Sequence, residues 1–415
     1  MKSKWAIFFG VLLTCSSILF STPLDLPRDV WEDPKYFDYF GLRKIINKYG
    51  FYFLPSYVMD LDWPTVGGIK TTDYPLYLFV FNFEFAIDFQ KLINLKGGNF
   101  YLSFLVHDGK NPSLNYVGDY QGFDNIEAYN LVQLAELWYQ QEFFDARYAI
   151  SFGKIDAYAT FPYTEYAQIL MNNSFSIFPT MPIPSYPNPS VGVIFTGDFT
   201  NWLAIKAAIF DGSNVQGVRT GNLGAKRFFQ NLGKHLFLIG ELDFLWGTNQ
   251  ETYQGWVGLG IWGFNGRLPT FNHKEAGKTA GPYITLSQRI WKEKAKNIQT
   301  VKGFKPGEVG AFAQFGYANP QLFASKFYIG GGITYDNFIK QLTGDTLSLG
   351  VASLYFSNSD GAPFVRTYET AFEITYQMEV FPGITVQPDV QWIINPGGNG
   401  NRNALVASLR LTFSI

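Results

Sequence analysis

The sequence predicts an all-β protein, a transmembrane antiparallel β-barrel of about 16 strands with a short helix near its N-terminus. Three observations carry that reading. Aromatic residues make up 18% of the 415, with 41 Phe and 25 Tyr, while charged residues reach only 16% and mean hydropathy stays near zero. Long segments alternate between apolar and polar side chains. The last residues, Leu405 to Ile415, place Leu405, Ala407, Leu409, Leu411, Phe413 and Ile415 on one face and Ser408, Arg410, Thr412 and Ser414 on the other. An average soluble protein carries roughly 25% charged residues. Strands with one lipid face and one wet face give low charge without net hydrophobicity. A helical membrane protein needs several apolar runs of ~20 residues, and none occurs after residue 21.

The N-terminus has one apolar run, Trp5 to Phe20, behind Lys2 and Lys4. Its length and basic flank fit a cleaved export signal over residues 1–22. Cys15, the only cysteine, lies inside this run, so the exported chain is expected to carry no disulfide. Loss of Lys2 and Lys4 turns 32 basic against 34 acidic residues into 30 against 34. That balance implies neither a nucleic-acid surface nor an acidic tail. The expected organisation is signal peptide 1–22, N-terminal segment 23–60 and barrel 61–415. Within 23–60, Leu42, Ile45, Ile46 and Tyr49 recur at helical spacing and Asp38 is placed to cap the start, predicting a short amphipathic helix.

The clearest strand is Tyr77 to Phe89. Tyr77, Phe79, Phe81, Phe83, Phe85, Ile87 and Phe89 share one face, and Asn82, Glu84 and Asp88 the other. Such a strand exceeds the common length of about 5–6 residues and suits the ~9–11 that cross a bilayer. Tyr368 to Val380 repeats the pattern, with Phe372, Ile374, Tyr376, Met378 and Val380 opposite Glu369, Glu373 and Glu379. Lipid would reject three carboxylates on that second face, whereas a watery lumen accepts them. Further strands are predicted at 100–108, 134–144, 146–156, 190–198, 202–211, 234–246, 255–264, 281–292, 308–317, 325–335, 346–357 and 383–393, with one more hidden between 50 and 60. Short turns such as Phe144–Asp145 and Pro382–Gly383 contrast with long connections at 107–133, 157–189 and 212–233. This is the asymmetry of a barrel with a periplasmic and an outer side. The proline-rich stretch 179–189 cannot be a central strand and is expected to fold as a stiff loop into the mouth or lumen. The lysine-rich stretch from Arg289 to Lys305 reads as a solvated outer loop.

Enzymatic signals are thin. His107, His235 and His273 lack metal-ligand spacing, and neither a nucleophile elbow nor a phosphate-binding glycine loop is present. A sugar channel needs planar hydrogen-bonding groups and aromatic faces along its wall, with selectivity set by diameter and lining charges. The lining candidates are Glu84, Asp88, Glu136, Trp138, Lys154, Asp156, Glu373, Asp389, Gln391 and Arg410. No catalytic residue, cofactor or metal is implied.

Several blocks resemble the OprB-like carbohydrate-selective porin family. The strongest runs from Tyr368 to Gly398, Y-E-T-A-F-E-I-T-Y-Q-M-E-V-F-P-G-I-T-V-Q-P-D-V-Q-W-I-I-N-P-G-G. Others are Asn125 to Ala128 leading into L-W-Y-Q-Q-E-F-F, Ser151 to Asp156, Met171 to Phe175, Ala208 to Gly212 and Phe40 to Arg43. They span most of the chain in the family's order. The resemblance implies passive diffusion of monosaccharides or similar solutes across the outer membrane of a Gram-negative-type cell. Small sugars and membrane lipid are then the partners, with no nucleic acid, and a trimer is expected only by analogy. Two departures stand out. The family's terminal aromatic residue is replaced by Ile415, with Phe413 two before it, and its W-G-G-x-R becomes Y-F-G-L-R at Tyr39 to Arg43. Two alternatives to a sugar pore remain at this point, a porin for a carboxylate or amino acid and a surface structural or adhesive barrel.

Overall fold

The computed structural model describes residues 41–222, 235–247, 254–274, 276–293, 306–339 and 344–414. The proposed signal peptide, Asp38 and Ile415 lie outside them. Sixteen strands form one closed antiparallel barrel in which each strand pairs with its sequence neighbours and the first closes on the last. In chain order they are β1 Phe51–Gly68, β2 Leu76–Asp88, β3 Gly98–Gly109, β4 Leu131–Phe143, β5 Tyr148–Ile155, β6 Ser190–Asp198, β7 Leu203–Asp211, β8 Leu236–Trp246, β9 Gly255–Pro269, β10 Ala276–Lys292, β11 Glu308–Tyr317, β12 Ser325–Asp336, β13 Thr346–Phe356, β14 Tyr368–Phe381, β15 Ile384–Ile394 and β16 Arg402–Ser414. The barrel therefore starts at Phe51 rather than at residue 61. The hidden strand is the longest of all, and Pro55 and Pro64 within it interrupt the alternation that marks the others.

Two helical pieces sit at the end where the chain enters. Helix α1, Leu42–Lys48, starts after Gly41 without a side-chain cap. It buries Arg43 and Asn47 and leaves Leu42, Ile45 and Tyr49 exposed. The apolar stripe predicted for it thus faces outward. Helix α2, Phe89–Ile93, is capped by Asp88, whose carboxylate accepts from the amides of Gln90 and Lys91 at 2.9 and 3.3 Å.

Alternation decides the faces. On β2, Tyr77 and Phe85 are exposed while Leu78, Glu84 and Asp88 are buried. On β14, Phe372, Ile374 and Val380 look out while Glu369, Glu373 and Thr375 look in. Outward rings also meet across strands, as Phe53 does with Phe85 at 4.6 Å and Tyr57 with Phe81 at 5.3 Å. Aromatic cross-strand pairs of this kind support register.

The short connections 144–147, 199–202 and 382–383 share one end, and 110–130, 156–189 and 212–235 share the other. Of the lysine-rich stretch, Arg289 belongs to β10, where it is buried and paired with Glu308 at 2.8 Å. The residues 294–305 fall outside the described set.

Much of the interior is packed rather than wet. Phe161, Tyr166, Leu170, Phe175, Phe178, Met181 and Ile183 of the 156–189 connection join Phe210, Phe237, Tyr283, Phe312 and Tyr328 of the wall in one buried cluster. Glycines on the inner face make room for it. A Cβ on Gly310 would lie 2.1 Å from the Tyr166 ring, and one on Gly350 would lie 2.6 Å from Phe175.

The outward band gives a direct test. Replacing Ile374 with Arg should cost about 2–4 kcal/mol of folding free energy in lipid vesicles, the range for a cation in mid-membrane. Urea titration of reversible folding into vesicles measures it.

Candidate functional site

The inner wall is densely polar, and its polar groups hold two loops across the lumen. Loop 110–130 is fixed first at the barrel seam. Asp60 on β1 and Arg410 on β16 are direct cross-strand partners. The Arg410 Nε donates to Asp60 at 2.9 Å and Nη2 at 2.6 Å, a forked ion pair. Nη2 also reaches Asp124 at 3.2 Å and Asn125 at 2.8 Å, both from the loop. Two residues along, Ser408 donates to Asp62 at 2.6 Å. A planar guanidinium with several fixed donors suits this convergence of acceptors.

The β14–β15 wall supplies the next anchors. Glu369 accepts from the amides of Tyr120 and Gln121 at 2.8 and 2.9 Å, and also from Gly397. Gln391 donates to the Phe123 carbonyl at 2.7 Å and accepts from Asn172 at 3.1 Å, so it holds both loops. Glu373 accepts from Met171 and Asn172 at 2.5 and 3.0 Å. Gln387 donates to the Ile169 carbonyl at 2.6 Å. Asp389 accepts from Gln391 at 3.1 Å. On β11 and β12, Gln314 reaches the Phe175 carbonyl at 2.8 Å and Thr334 the Tyr166 carbonyl at 2.6 Å.

A second patch lies on β2–β5. Trp138 stacks on Tyr101 at 4.9 Å, and its indole donates to Glu136 at 3.1 Å. Glu136 also accepts from the Asp156 amide at 3.1 Å. Asp156 then accepts from Tyr158, Ser185 and Tyr186 at 2.9, 2.5 and 2.9 Å, which fastens the proline-rich stretch. That stretch does fold inward, with Met181, Ile183 and Ser185 buried. Glu84 sits on the same side, accepting from Asn82 at 2.5 Å.

The predicted residues therefore separate. Glu84, Glu136, Trp138 and Asp156 form one patch, and Glu373, Asp389, Gln391 and Arg410 share another wall. Asp88 belongs to neither, since it caps α2 at the short-turn end. Lys154 is buried, donating to the carbonyls of Leu134 at 2.8 Å and Gly221 at 3.2 Å. Sequence reasoning placed Glu369 on the lumen face but did not name Asp60, Asp124, Asn125 or Gln387 as lining groups. It also passed over Lys206, which pairs with Glu241 at 2.7 Å and Asp243 at 2.9 Å. Period-two alternation would have placed Asp60 inward once β1 was recognised. Loop residues such as Asp124 carry no such signal.

The loop carboxyls titrate unusually. Burial pushes Asp119 up to about 6, and burial with the neighbouring Asp119 pushes Glu127 up to about 7. Burial, aided by Glu308, pushes Glu165 up to about 8. Loss of hydration disfavours the charged form of each.

A family model described as carbohydrate-selective porin, OprB family, matches residues 75–415. The chain belongs to that family. It is a 16-strand porin of the outer-membrane kind, a channel for passive sugar diffusion. The matched region omits β1 and the F-G-L-R block. Among solved structures, the high-pH structure of Pseudomonas putida OprB superposes with a TM-score of 0.78 at 17% identity, covering 92% of this chain and 98% of that one. The low-pH structure of Pseudomonas putida OprB gives 0.60 at 16% identity, covering 92% and 99%. At such identities the likeness is one of fold. No curated protein sequence matches the chain.

Two substitutions test the anchors of this OprB-family porin. Glu373→Ala strands the Met171 and Asn172 amides, each at a cost of about 1–3 kcal/mol. Protease cleavage within 156–189 should appear in the folded barrel, and single-channel conductance should rise. Arg410→Met leaves Asp60 and Asp124 uncompensated and should cost about 3–5 kcal/mol. Adding Asp60→Asn should recover part of that loss in the same urea titration.

Proposed function

We propose that this porin passes small neutral monosaccharides by passive diffusion, through the space that loops 110–130 and 156–189 leave free, in the outer membrane of a Gram-negative-type cell. The observation that carries the reading is the fastening of both loops to the inner wall by buried carboxylates and amides. A fixed constriction of this sort limits solutes by size. Partly open groups on the loops, among them Asn125, Tyr158 and Gln168, are the side chains placed to exchange hydrogen bonds with a passing solute. Weak, replaceable contacts suit a conduit, which must release what it binds. Inward folding also argues against an adhesive barrel, whose loops would have to present themselves outward. The reading assigns no catalysis and no cofactor.

Proteoliposome swelling tests it. Glucose and other monosaccharides should enter quickly and a tetrasaccharide far more slowly. Equal swelling with both would sink the size-limited pore, and no swelling with glucose would sink the sugar channel.

A further inference from the structure

At the short-turn end, apolar side chains stand open on the outer side of β2–β5. In the connection 89–97, Leu92 is 37% exposed, Ile93 64% and Leu95 42%. At the end of β4 and in the turn after it, Phe143 is 41% and Phe144 80% exposed. Phe89, Leu92 and Ile93 share one side of α2 by helical spacing, and Gln90 and Lys91 lie off it. Lys91 reaches instead to the buried Tyr52, donating to its hydroxyl at 2.8 Å.

This patch joins the outward band of the barrel. Phe89 follows Phe85 and Ile87 on the outer face of β2, and its ring lies 6.0 Å from that of Tyr139. Tyr139 meets Phe152, an outward residue of β5, at 5.5 Å. A Cβ on Gly98 would lie 3.0 Å from both Leu95 and the Tyr139 hydroxyl, so these two side chains are neighbours. The two connections are also fastened to each other. Gln141 donates to the Lys96 carbonyl at 2.9 Å, and the Glu142 amide to the Gly97 carbonyl at 2.8 Å. Lys96 pairs with Asp145 at 2.5 Å, and both stay exposed, so a polar edge borders the apolar patch. Gly50 brings α1 to the same corner. Its carbonyl accepts from the Asp88 amide at 2.8 Å, and a Cβ on it would lie 2.9 Å from the Lys91 Cβ. The outward stripe of α1, with Leu42, Ile45 and Tyr49 each more than half exposed, therefore ends beside α2.

We propose that this corner lies in the headgroup layer of the periplasmic leaflet, with phospholipid covering its apolar side. Contiguous exposed apolar surface marks contact with a protein or a membrane. Lipid is the occupant here because the patch is continuous, through Phe89, Tyr139 and Phe152, with strands that face lipid. An amphipathic segment of this kind lies in the plane of the interface, its apolar side about 5–10 Å into the boundary of headgroups and chains. Tyrosine suits that depth, and the Tyr139 hydroxyl donates to Gln141 at 2.7 Å while its ring stays among apolar neighbours. The contact fixes the depth of β2–β5 and holds α1 against the membrane surface where the chain enters the barrel. The proposal rests on the barrel's place in a membrane and not on the solute it passes.

Single cysteines in the full chain, placed in a Cys15→Ser background and labelled with the environment-sensitive dye NBD, test this. The labelled protein is folded into vesicles of phosphatidylethanolamine and phosphatidylglycerol, with and without lipid brominated near the headgroup end of its chains. Labels at Ile93→Cys and Phe144→Cys should emit at shorter wavelength than in water and lose emission to the brominated lipid. A label at Gln90→Cys, off the apolar side of α2, should keep a water-like emission. Ile374→Cys, in the outward band of β14, reports that the barrel has inserted. Water-like emission at both Ile93→Cys and Phe144→Cys would overturn the proposal. So would shielding there without quenching, accompanied by crosslinks between copies at Ile93→Cys, because a second copy would then be the occupant. Water-like emission at Ile374→Cys would instead strike the membrane reading on which the proposal rests.

Discussion

A sheet in lipid can leave no backbone group unpaired, because no water is there to satisfy it. Everything else in this molecule follows from meeting that constraint by closure. The seam between β1 and β16 is where closure is decided, and it is also where the forked Asp60–Arg410 pair lies, on directly opposed residues. An ion pair cannot face hydrocarbon, so it fixes which side of both strands is inside. A slip of one residue would turn Arg410 out and Leu409 or Leu411 in. The pair thus specifies register at the one junction that no hairpin turn enforces.

The same guanidinium reaches past the seam to Asp124 and Asn125. Closure and constriction are therefore coupled at one side chain. The pattern repeats along β14 and β15, where inner-face carboxylates and amides bond loop backbone as well as each other. A loop lying inside a barrel carries its own amides and carbonyls away from bulk water, and each needs a partner. Glu369 and Glu373 are positioned to supply partners in pairs, each carboxylate taking two successive amides. The loop 156–189 meets the opposite need with its apolar side chains, which fill space that wall glycines leave open.

How much of this was legible in the sequence depended on periodicity. Strands with strict alternation, such as Tyr77 to Phe89 and Tyr368 to Val380, disclosed both their existence and their faces. The strand at Phe51–Gly68 was all but hidden because prolines at 55 and 64 break its pattern, although closure of the barrel depends on it. Inward direction was equally legible for Glu136, Glu373, Gln391 and Arg410. Their partners were not, since a loop carries no period and a hydrogen bond between residues more than 200 positions apart leaves no local trace. Asp88 shows the limit from the other side. Alternation places it inward, yet its position at the strand's end makes it a helix cap. Lys154 likewise could not be read as buried from the strand around it, because its carbonyl partner at Gly221 arrives from a distant connection.

The family blocks that best identified this chain turn out to be its loop anchors. The glutamates of Y-E-T-A-F-E and the Q-P-D-V-Q run hold the constriction from behind. A side chain whose oxygens are taken by loop backbone is not offered to a passing solute. In this chain, the β14–β15 block therefore serves to hold the two loops in place inside the barrel.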